Sequence, residues 1–298
     1  MKIALTGASG FIGRRLISRL LQDGHSVHAL GRRRPSGSPA IGFSLWDASE
    51  GSAVPAESLR HARAIIHLAG EPVAQRWNTD VKARIMESRV QGTKAIVNAV
   101  AAAEDRPETL VCASAIGFYG DRGEEILDEA SSPGTGFLPE VCLAWEREAR
   151  AAGNLGLRVV MVRIGIVLGK EGGALKKMLP PFRMGIGGPI ASGQQWMSWI
   201  HVEDLVEIIM FALDREQVFG PVNATAPNPV RNKEFSKTLG VALGRPAILP
   251  TPVFALKMML GEAASVVVAS QRVLPAVLER TGFTFHYPDV ADALRNAV

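Results

Sequence analysis

Gly7, Gly10 and Gly13 recur at three-residue spacing in Thr6-Gly7-Ala8-Ser9-Gly10-Phe11-Ile12-Gly13. Chemistry can use each of them. One glycine permits a tight turn, one lets backbone N–H groups reach a pyrophosphate, and one lets a helix pack close to a strand. Ile3-Ala4-Leu5 before the loop reads as a buried strand. The stretch from Phe11 to Gln22 reads as a helix, with Ile12, Leu16 and Leu20 at helical spacing. The helix N-terminus then offers unpaired N–H groups and a positive dipole end to phosphates. A Gly-rich turn without a ligand is the bland alternative. The position directly after a first strand favours a dinucleotide.

A second set of residues bears on which dinucleotide. A strand over Val27 to Leu30 runs into Gly31-Arg32-Arg33-Arg34. NAD would need an acid there for the ribose 2′-hydroxyl. Arginine instead pairs its planar fork with a 2′-phosphate. NADP(H) is therefore expected, against the alternative of a solvated basic loop. Asp47 could meet the adenine edge or cap the next turn.

These residues need a scaffold, and the apolar pattern supplies one. Further strands are predicted at Ile41 to Leu45, Ala64 to Leu68, Leu110 to Ala113 and Arg158 to Val167. Helices are predicted at Thr79 to Ala103, capped by Asn78 or Thr79, and at Pro139 to Ala152. The alternation implies α/β architecture with a parallel sheet. The pattern breaks after Leu168, and Gly and Pro punctuate Gly169 to Gly193. A helix from Val202 to Leu213 and a strand at Val222 to Ala224 resume it. Beyond Pro227 the chain reads as mainly helical. The expected fold is a Rossmann-type doubly wound parallel sheet, residues 1–168 with 198–225 returning to it. A smaller, mainly helical C-terminal substrate domain comprises 169–197 and 226–298. Met258 and Met259 read as core filler.

Composition narrows the function classes. The chain has 298 residues, 47% hydrophobic and 21% charged, with a formal net charge of +4, values ordinary for a globular protein. The positive residues form no aromatic-interleaved stripe, so no nucleic-acid partner is expected. No apolar run has the length of a membrane span. Lys2 leads at once into the first strand, leaving no room for an apolar targeting core. Two cysteines make no disulfide framework. A cytoplasmic protein is expected. The six histidines and two cysteines show no metal-ligand spacing, so no metal is expected.

The motifs also carry a resemblance. The loop at 6–13, His67-Leu68-Ala69-Gly70-Glu71-Pro72, Ser88-Arg89-Val90-Gln91-Gly92-Thr93, Ser114-Ala115-Ile116-Gly117-Phe118-Tyr119-Gly120 and Trp199-Ile200-His201-Val202-Glu203-Asp204 are similar to an atypical branch of the extended short-chain dehydrogenase/reductase superfamily. Ser270-Gln271-Arg272-Val273-Leu274-Pro275 and Gly282-Phe283-Thr284-Phe285 resemble that branch's C-terminal module. The branch is often labelled "epimerase family protein", and some members "cell division inhibitor". The resemblance implies that Gly7, Ser9, Gly10, Phe11, Ile12 and Gly13 cradle the pyrophosphate and that Arg32 and Arg33 take the 2′-phosphate. It places Leu68, Ala69 and Gly70 along the cofactor, with Ser88, Ser114 and Arg163 as further cofactor-site residues. It brings no substrate.

The resemblance also exposes a gap. Active members of the superfamily use Tyr-x-x-x-Lys on the helix after strand five, a tyrosinate acid/base beside a lysine. Here Leu138 to Glu148 holds neither residue type, and Tyr119 and Tyr287 are the chain's only tyrosines. Ser114 and Tyr119 are the expected catalytic donors, with Glu71, Asp121, Glu146 and His201 as other acid/base candidates. Lys176, Lys177, Arg183, Gln194, Gln195, Trp196 and Trp199 fall where relatives build a substrate pocket. Two function classes stay open: an NADP(H)-dependent oxidoreductase or epimerase-like enzyme acting on a small carbonyl or sugar-like substrate, and a non-catalytic NADP(H)-binding regulator.

Overall fold

Seven parallel strands form the centre of the computed structural model, which describes residues 1–37, 41–49 and 52–298. They are β1 (Lys2–Thr6), β2 (Ser26–Gly31), β3 (Gly42–Leu45), β4 (Ala62–His67), β5 (Thr109–Ala115), β6 (Arg158–Ile164) and β7 (Gly220–Ala224). Their spatial order is β7-β6-β5-β4-β1-β2-β3. The order reverses between β1 and β4, and a ligand crevice opens at such a switch point, beyond the carboxyl ends of the strands. Val- and Ile-rich strands suit this place because both faces of the sheet are covered.

The helices include α1 (Phe11–Gln22), α2 (Thr79–Ala102), α3 (Phe137–Arg150), α4 (Gly173–Arg183), α5 (Val202–Asp214), α6 (Asn232–Leu243) and α7 (Val290–Ala297). One buried cluster joins Leu16, Ile17 and Leu20 of α1 to Leu205, Ile208 and Ile209 of α5 across the face of β1. A second joins Ile96 and Val100 of α2 to Trp145 and Ala149 of α3 on the opposite face. Asn78 caps α2, its side-chain oxygen accepting from Val81 N at 2.8 Å.

Two regions differ from the pattern read in the sequence. The apolar run from Arg158 does not continue to Val167 as one strand. Gly165 turns it out of the central sheet, and Ile166–Leu168 pairs instead with Trp199–His201. The punctuated stretch after Leu168 contains α4, which holds Pro180 and Pro181 inside it. Proline ordinarily breaks a helix interior by removing an N–H donor and crowding the preceding turn. Here Leu175, Leu179 and Phe182 bury one face of the helix and hold it in place.

Met258 and Met259 are not core filler. They are 73% and 70% exposed on the short helix Val253–Leu260, which buries only Leu256. Among the described residues no helix is long and apolar enough to cross a membrane.

Candidate functional site: a dinucleotide crevice and the polar block behind it

The crevice floor is shaped by absent side chains. Gly7 has φ +69°, and a Cβ there would lie 2.8 Å from the Leu68 carbonyl carbon. A Cβ on Gly13 would lie 2.3 Å from the Gly7 carbonyl oxygen. α1 can therefore sit against β1 only with glycine at that position. Gly10 precedes the helix, and no side chain caps it. The first helical donor with an internal partner is Arg14 N, bonded to Gly10 O at 3.1 Å. The N–H groups ahead of it are the usual orphans of a helix start and face the crevice. The donors and the Cβ-free cradle fit a pyrophosphate.

The Phe11 ring serves the loop rather than the crevice. A Cβ on Gly172 would lie 2.4 Å from its Cγ, and one on Gly169 would lie 2.6 Å from its Cζ. Arg15 covers the ring at 4.3 Å. Residues 169–173 thereby clamp the start of α1.

At the end of β2, Arg32, Arg33 and Arg34 are exposed. Arg34 donates to the Ile41 carbonyl at 3.0 Å. Among the described residues, the Arg32 side chain, 70% exposed, has one carboxylate nearby, Asp47 at 4.0 Å. Asp47 caps its own turn, accepting from Ser49 N at 2.9 Å.

The carboxyl end of β4 is tied to both neighbours. Leu68 N and Ala69 N each donate to Thr6 Oγ1 at 3.1 Å. With both lone pairs engaged, Thr6 gives its proton to His67 Nδ1 at 2.7 Å. Burial drives the His67 pKa down to about 3, so the ring is neutral. Ser88 lies beneath the loop, accepting from Glu71 N at 3.0 Å. The structure thus puts the Ser88 hydroxyl under the Leu68 to Glu71 turn as its support.

Beyond β5 the polar side chains close on one another. Register places Ser114 beside Arg163 and Arg163 beside Asn223, so three adjacent strands carry a polar row at one level. The row meets Glu146 of α3. Arg163 grips Glu146 through two bonds of 2.8 and 2.9 Å, and Ser114 Oγ donates to the same carboxylate at 2.8 Å. Arg150 adds a third cationic contact at 3.0 Å. The Tyr119 hydroxyl accepts from Arg163 at 2.9 Å. It donates toward Asn223 Oδ1 at 2.7 Å, with the Asp128 carbonyl 2.8 Å away as a second acceptor. Phe118 lies 3.5 Å from the guanidinium carbon of Arg163.

The structure therefore brings the two expected donors, Ser114 and Tyr119, together through Arg163 and Glu146. It turns both hydroxyls inward. Tyr119 is fully buried, and burial pushes its pKa up to about 12. Its phenol has no free edge toward the crevice. Ser114, 3% exposed, donates its hydroxyl to Glu146. Arg163 meets Glu146, Tyr119 and Phe118, all within the protein.

The other candidates have local duties. His201 caps α5, its Nδ1 accepting from Glu203 N at 3.3 Å, and Tyr287 packs on its ring at 4.0 Å. Asp204 is fully buried and accepts from His286 N and Tyr287 N at 2.8 and 2.9 Å, which anchors the C-terminal segment to α5. Asp121 accepts from Ser270 N at 3.0 Å. Gln271 donates to the Ile116 and Gly120 carbonyls at 3.0 and 2.9 Å, clamping the turn after β5. Cys112 and Cys142 are buried thiols, pushed up to about 12 by burial.

Of the pocket residues read from the sequence, Trp199 is core, its Nε1 donating to Asn228 O at 3.1 Å. The Trp196 ring has the guanidinium of Arg231 at 4.1 Å and that of Arg272 at 4.5 Å. Its Nε1 donates to Glu124 at 3.1 Å, and the Arg231 and Trp196 hydrogen bonds hold that carboxyl down at about 2. Lys177 donates to the Ala74 carbonyl across the crevice mouth.

Residues 3–224 match the model of the NAD dependent epimerase/dehydratase family. The chain belongs to this family. In this NAD dependent epimerase/dehydratase family member, residues 251–297 further match a domain of unknown function, DUF1731. It is 45% identical to the Arabidopsis thaliana "Epimerase family protein SDR39U1 homolog, chloroplastic", over 99% of this chain and 86% of that one. It is 38% identical to "Epimerase family protein YfhF" of Bacillus subtilis, over 100% and 98% of the two chains. The crystal structure of human epimerase family protein SDR39U1 (isoform 2) with NADPH superposes with a TM-score of 0.90, at 33% identity and 100% and 99% coverage.

Several site residues of this family member carry no motif of their own in the sequence. Glu124, Arg231 and Arg272 come together only because the turn after β5, the strand pair Trp196–Met197 with Val230–Arg231, and the C-terminal module converge. No local spacing announces that meeting. Glu146 is a candidate by residue type alone. Its partnership with Arg163 depends on the packing of α3 against β6.

Proposed function

We propose that the chain binds NADP(H) in the crevice between β1, β2 and β4 and acts as an oxidoreductase or epimerase-like enzyme on a small carbonyl or sugar-like substrate. The observation that carries this reading is the uncapped, Cβ-free start of α1 with two exposed arginines, Arg32 and Arg33, at the end of the adjacent strand. The orphan N–H groups of Phe11, Ile12 and Gly13 would hold the pyrophosphate. Arg32 and Arg33 would take the 2′-phosphate, since an exposed guanidinium fork matches phosphate oxygens. The human relative crystallised with NADPH agrees in kind.

A bound nicotinamide supplies a hydride donor or acceptor at ring C4. What this chain adds beside it is Ser114. Its hydroxyl donates to Glu146, so Ser114 Oγ would take a proton from a substrate hydroxyl while passing its own to that carboxylate, which Arg163 holds in place. This differs from the superfamily's tyrosine and lysine, for which α3 holds no counterpart.

The inward-turned hydroxyls of Ser114 and Tyr119 also favour a second reading, a non-catalytic NADP(H)-binding regulator. One experiment separates them. NADPH and NADH are titrated against the protein, and NADPH oxidation is then followed across aldehydes, ketones, quinones and nucleotide sugars. Preferential NADPH binding with turnover of one class supports the enzyme. Tight NADPH binding with no turnover on the whole panel supports the regulator. Equal affinity for both cofactors would overturn the assignment of Arg32 and Arg33.

A further inference from the structure

Arg89 of α2 has a placement that neither reading uses. Its Nη1 donates to the Glu71 and Ile85 carbonyls at 3.0 and 3.1 Å. Its guanidinium lies 5.0 Å from the ring centre of Trp145 on α3. A Cβ on Gly70 would come within 3.2 Å of its Cζ. Among the described residues, Nε and Nη2 have no acceptor and no carboxylate forms an ion pair with this side chain. Burial lowers its pKa from the usual guanidinium value, as expected for a cation short of counter-charge. A largely desolvated cation with unmatched donors is costly unless a partner arrives.

The position along the crevice says which partner. Gly7 of the pyrophosphate loop abuts Leu68 and Ala69. Gly70 follows them and abuts Arg89. Arg89 stacks on Trp145, whose neighbour Glu146 holds Ser114. Arg89 therefore lies between the pyrophosphate loop and Ser114, on the side away from Arg32 and Arg33. On the reading of the crevice proposed above, that interval belongs to the ribose joining the pyrophosphate to the nicotinamide.

We infer that Arg89 is a cofactor-binding residue, its free guanidinium edge donating to the nicotinamide-side ribose and its stack on Trp145 fixing the angle of approach. α2 and α3 together then supply a fixed cation beside the reacting ring, from a residue outside the helix that the superfamily uses. A side chain at Gly70 would crowd this guanidinium.

The test compares NADPH with 2′,5′-ADP, which keeps the adenosine half and the 2′-phosphate but lacks the nicotinamide ribose. Both are titrated against wild type, Arg89→Met and Arg89→Lys, with the melting temperature of each protein recorded. Arg89→Met keeps an apolar stem against Trp145. It should weaken NADPH by roughly 10- to 100-fold, the range for losing charge-assisted hydrogen bonds, and leave 2′,5′-ADP within about twofold. Arg89→Lys keeps the charge without the planar fork and should show a smaller loss confined to NADPH. Should Arg89→Met fail to fold, Arg89→Lys carries the test alone. An NADPH affinity unchanged in either folded variant overturns the inference. So does an equal loss of both ligands, which would mean that Arg89 acts through the loop. A wild-type protein that binds neither ligand overturns the cofactor reading itself, and the inference with it.

Discussion

The crevice at the ends of β1, β2 and β4 and the polar block behind β5 solve opposite problems. The crevice presents donors and removes side chains. Gly7, Gly10 and Gly13 keep its floor bare, and the start of α1 is left uncapped. The block does the reverse. Ser114, Glu146, Arg163, Tyr119 and Asn223 satisfy one another in a nearly dry interior. A buried carboxylate held by a bidentate arginine is costly to break, because either partner alone would be a stranded charge. Side chains of types suited to acid/base work thus also hold one another in the block, while the crevice floor offers backbone donors where side chains are absent.

Substitutions that separate the two regions give the largest effects. Gly10→Val should abolish NADPH binding while the chain stays folded, because its Cβ would meet only Gly7 O, at 3.1 Å, and the branched side chain would fill the phosphate space. Calorimetric titration and a melting curve on one sample check both halves. A folded variant with unaltered affinity would break the comparison on the crevice side. Glu146→Leu should do the opposite. It strands Arg163 in the interior and should cost about 3–5 kcal/mol of stability by urea denaturation. A loss under about 1 kcal/mol, the scale of an exposed ion pair, would show that the block is wetter than described.

Next in size is the cofactor contact. Removing both Arg32 and Arg33 as alanines should cost about 1.5–3 kcal/mol in NADPH binding and leave NADH unchanged. Parallel loss of both cofactors would move the arginines from specificity to general attraction. His67 gives a pH signature. Its folded pKa of about 3 lies below the ordinary histidine value of 6.5, so below pH 6.5 the unfolded chain binds the extra proton. Stability should therefore fall on acidification between those two values, by about 1.4 kcal/mol per pH unit from this group. His67→Asn should flatten that part of the profile, and an identical slope in both proteins would refute the buried neutral ring. Smallest of all, Met258→Lys and Met259→Lys should each stay within about 0.5 kcal/mol of wild type in the same denaturation assay. A core-sized loss would restore the reading of these residues as filler.

That ranking follows what a sequence can display. The glycine loop is legible because its three positions are close in the chain and each answers one local constraint. The strand alternation is legible for the same reason, and it placed β1, β2, β4 and β5 within a few residues. Ser114, Arg163 and Asn223 meet only through the register of three parallel strands, which no local pattern encodes. Arg89 lies in the Ser88–Thr93 motif, but its stack on Trp145 depends on the packing of α2 against α3. α4 was hidden by Pro180 and Pro181, whose local signal opposes a helix that tertiary burial sustains. The helix Val253–Leu260 misleads in the other direction. Its apolar residues have core composition and an exposed face.

The anchor at Asp204 has a consequence for the time course of folding. Its two backbone donors, His286 N and Tyr287 N, lie 82 and 83 residues further along the chain. At synthesis rates of about 5–20 residues per second, roughly 4–16 s pass between the addition of Asp204 and that of its partners. Through that interval α5 can pack on the sheet only with a carboxylate at its buried N-terminus still short of these donors. The contacts that complete the start of α5 are thus made by a segment synthesised well after it.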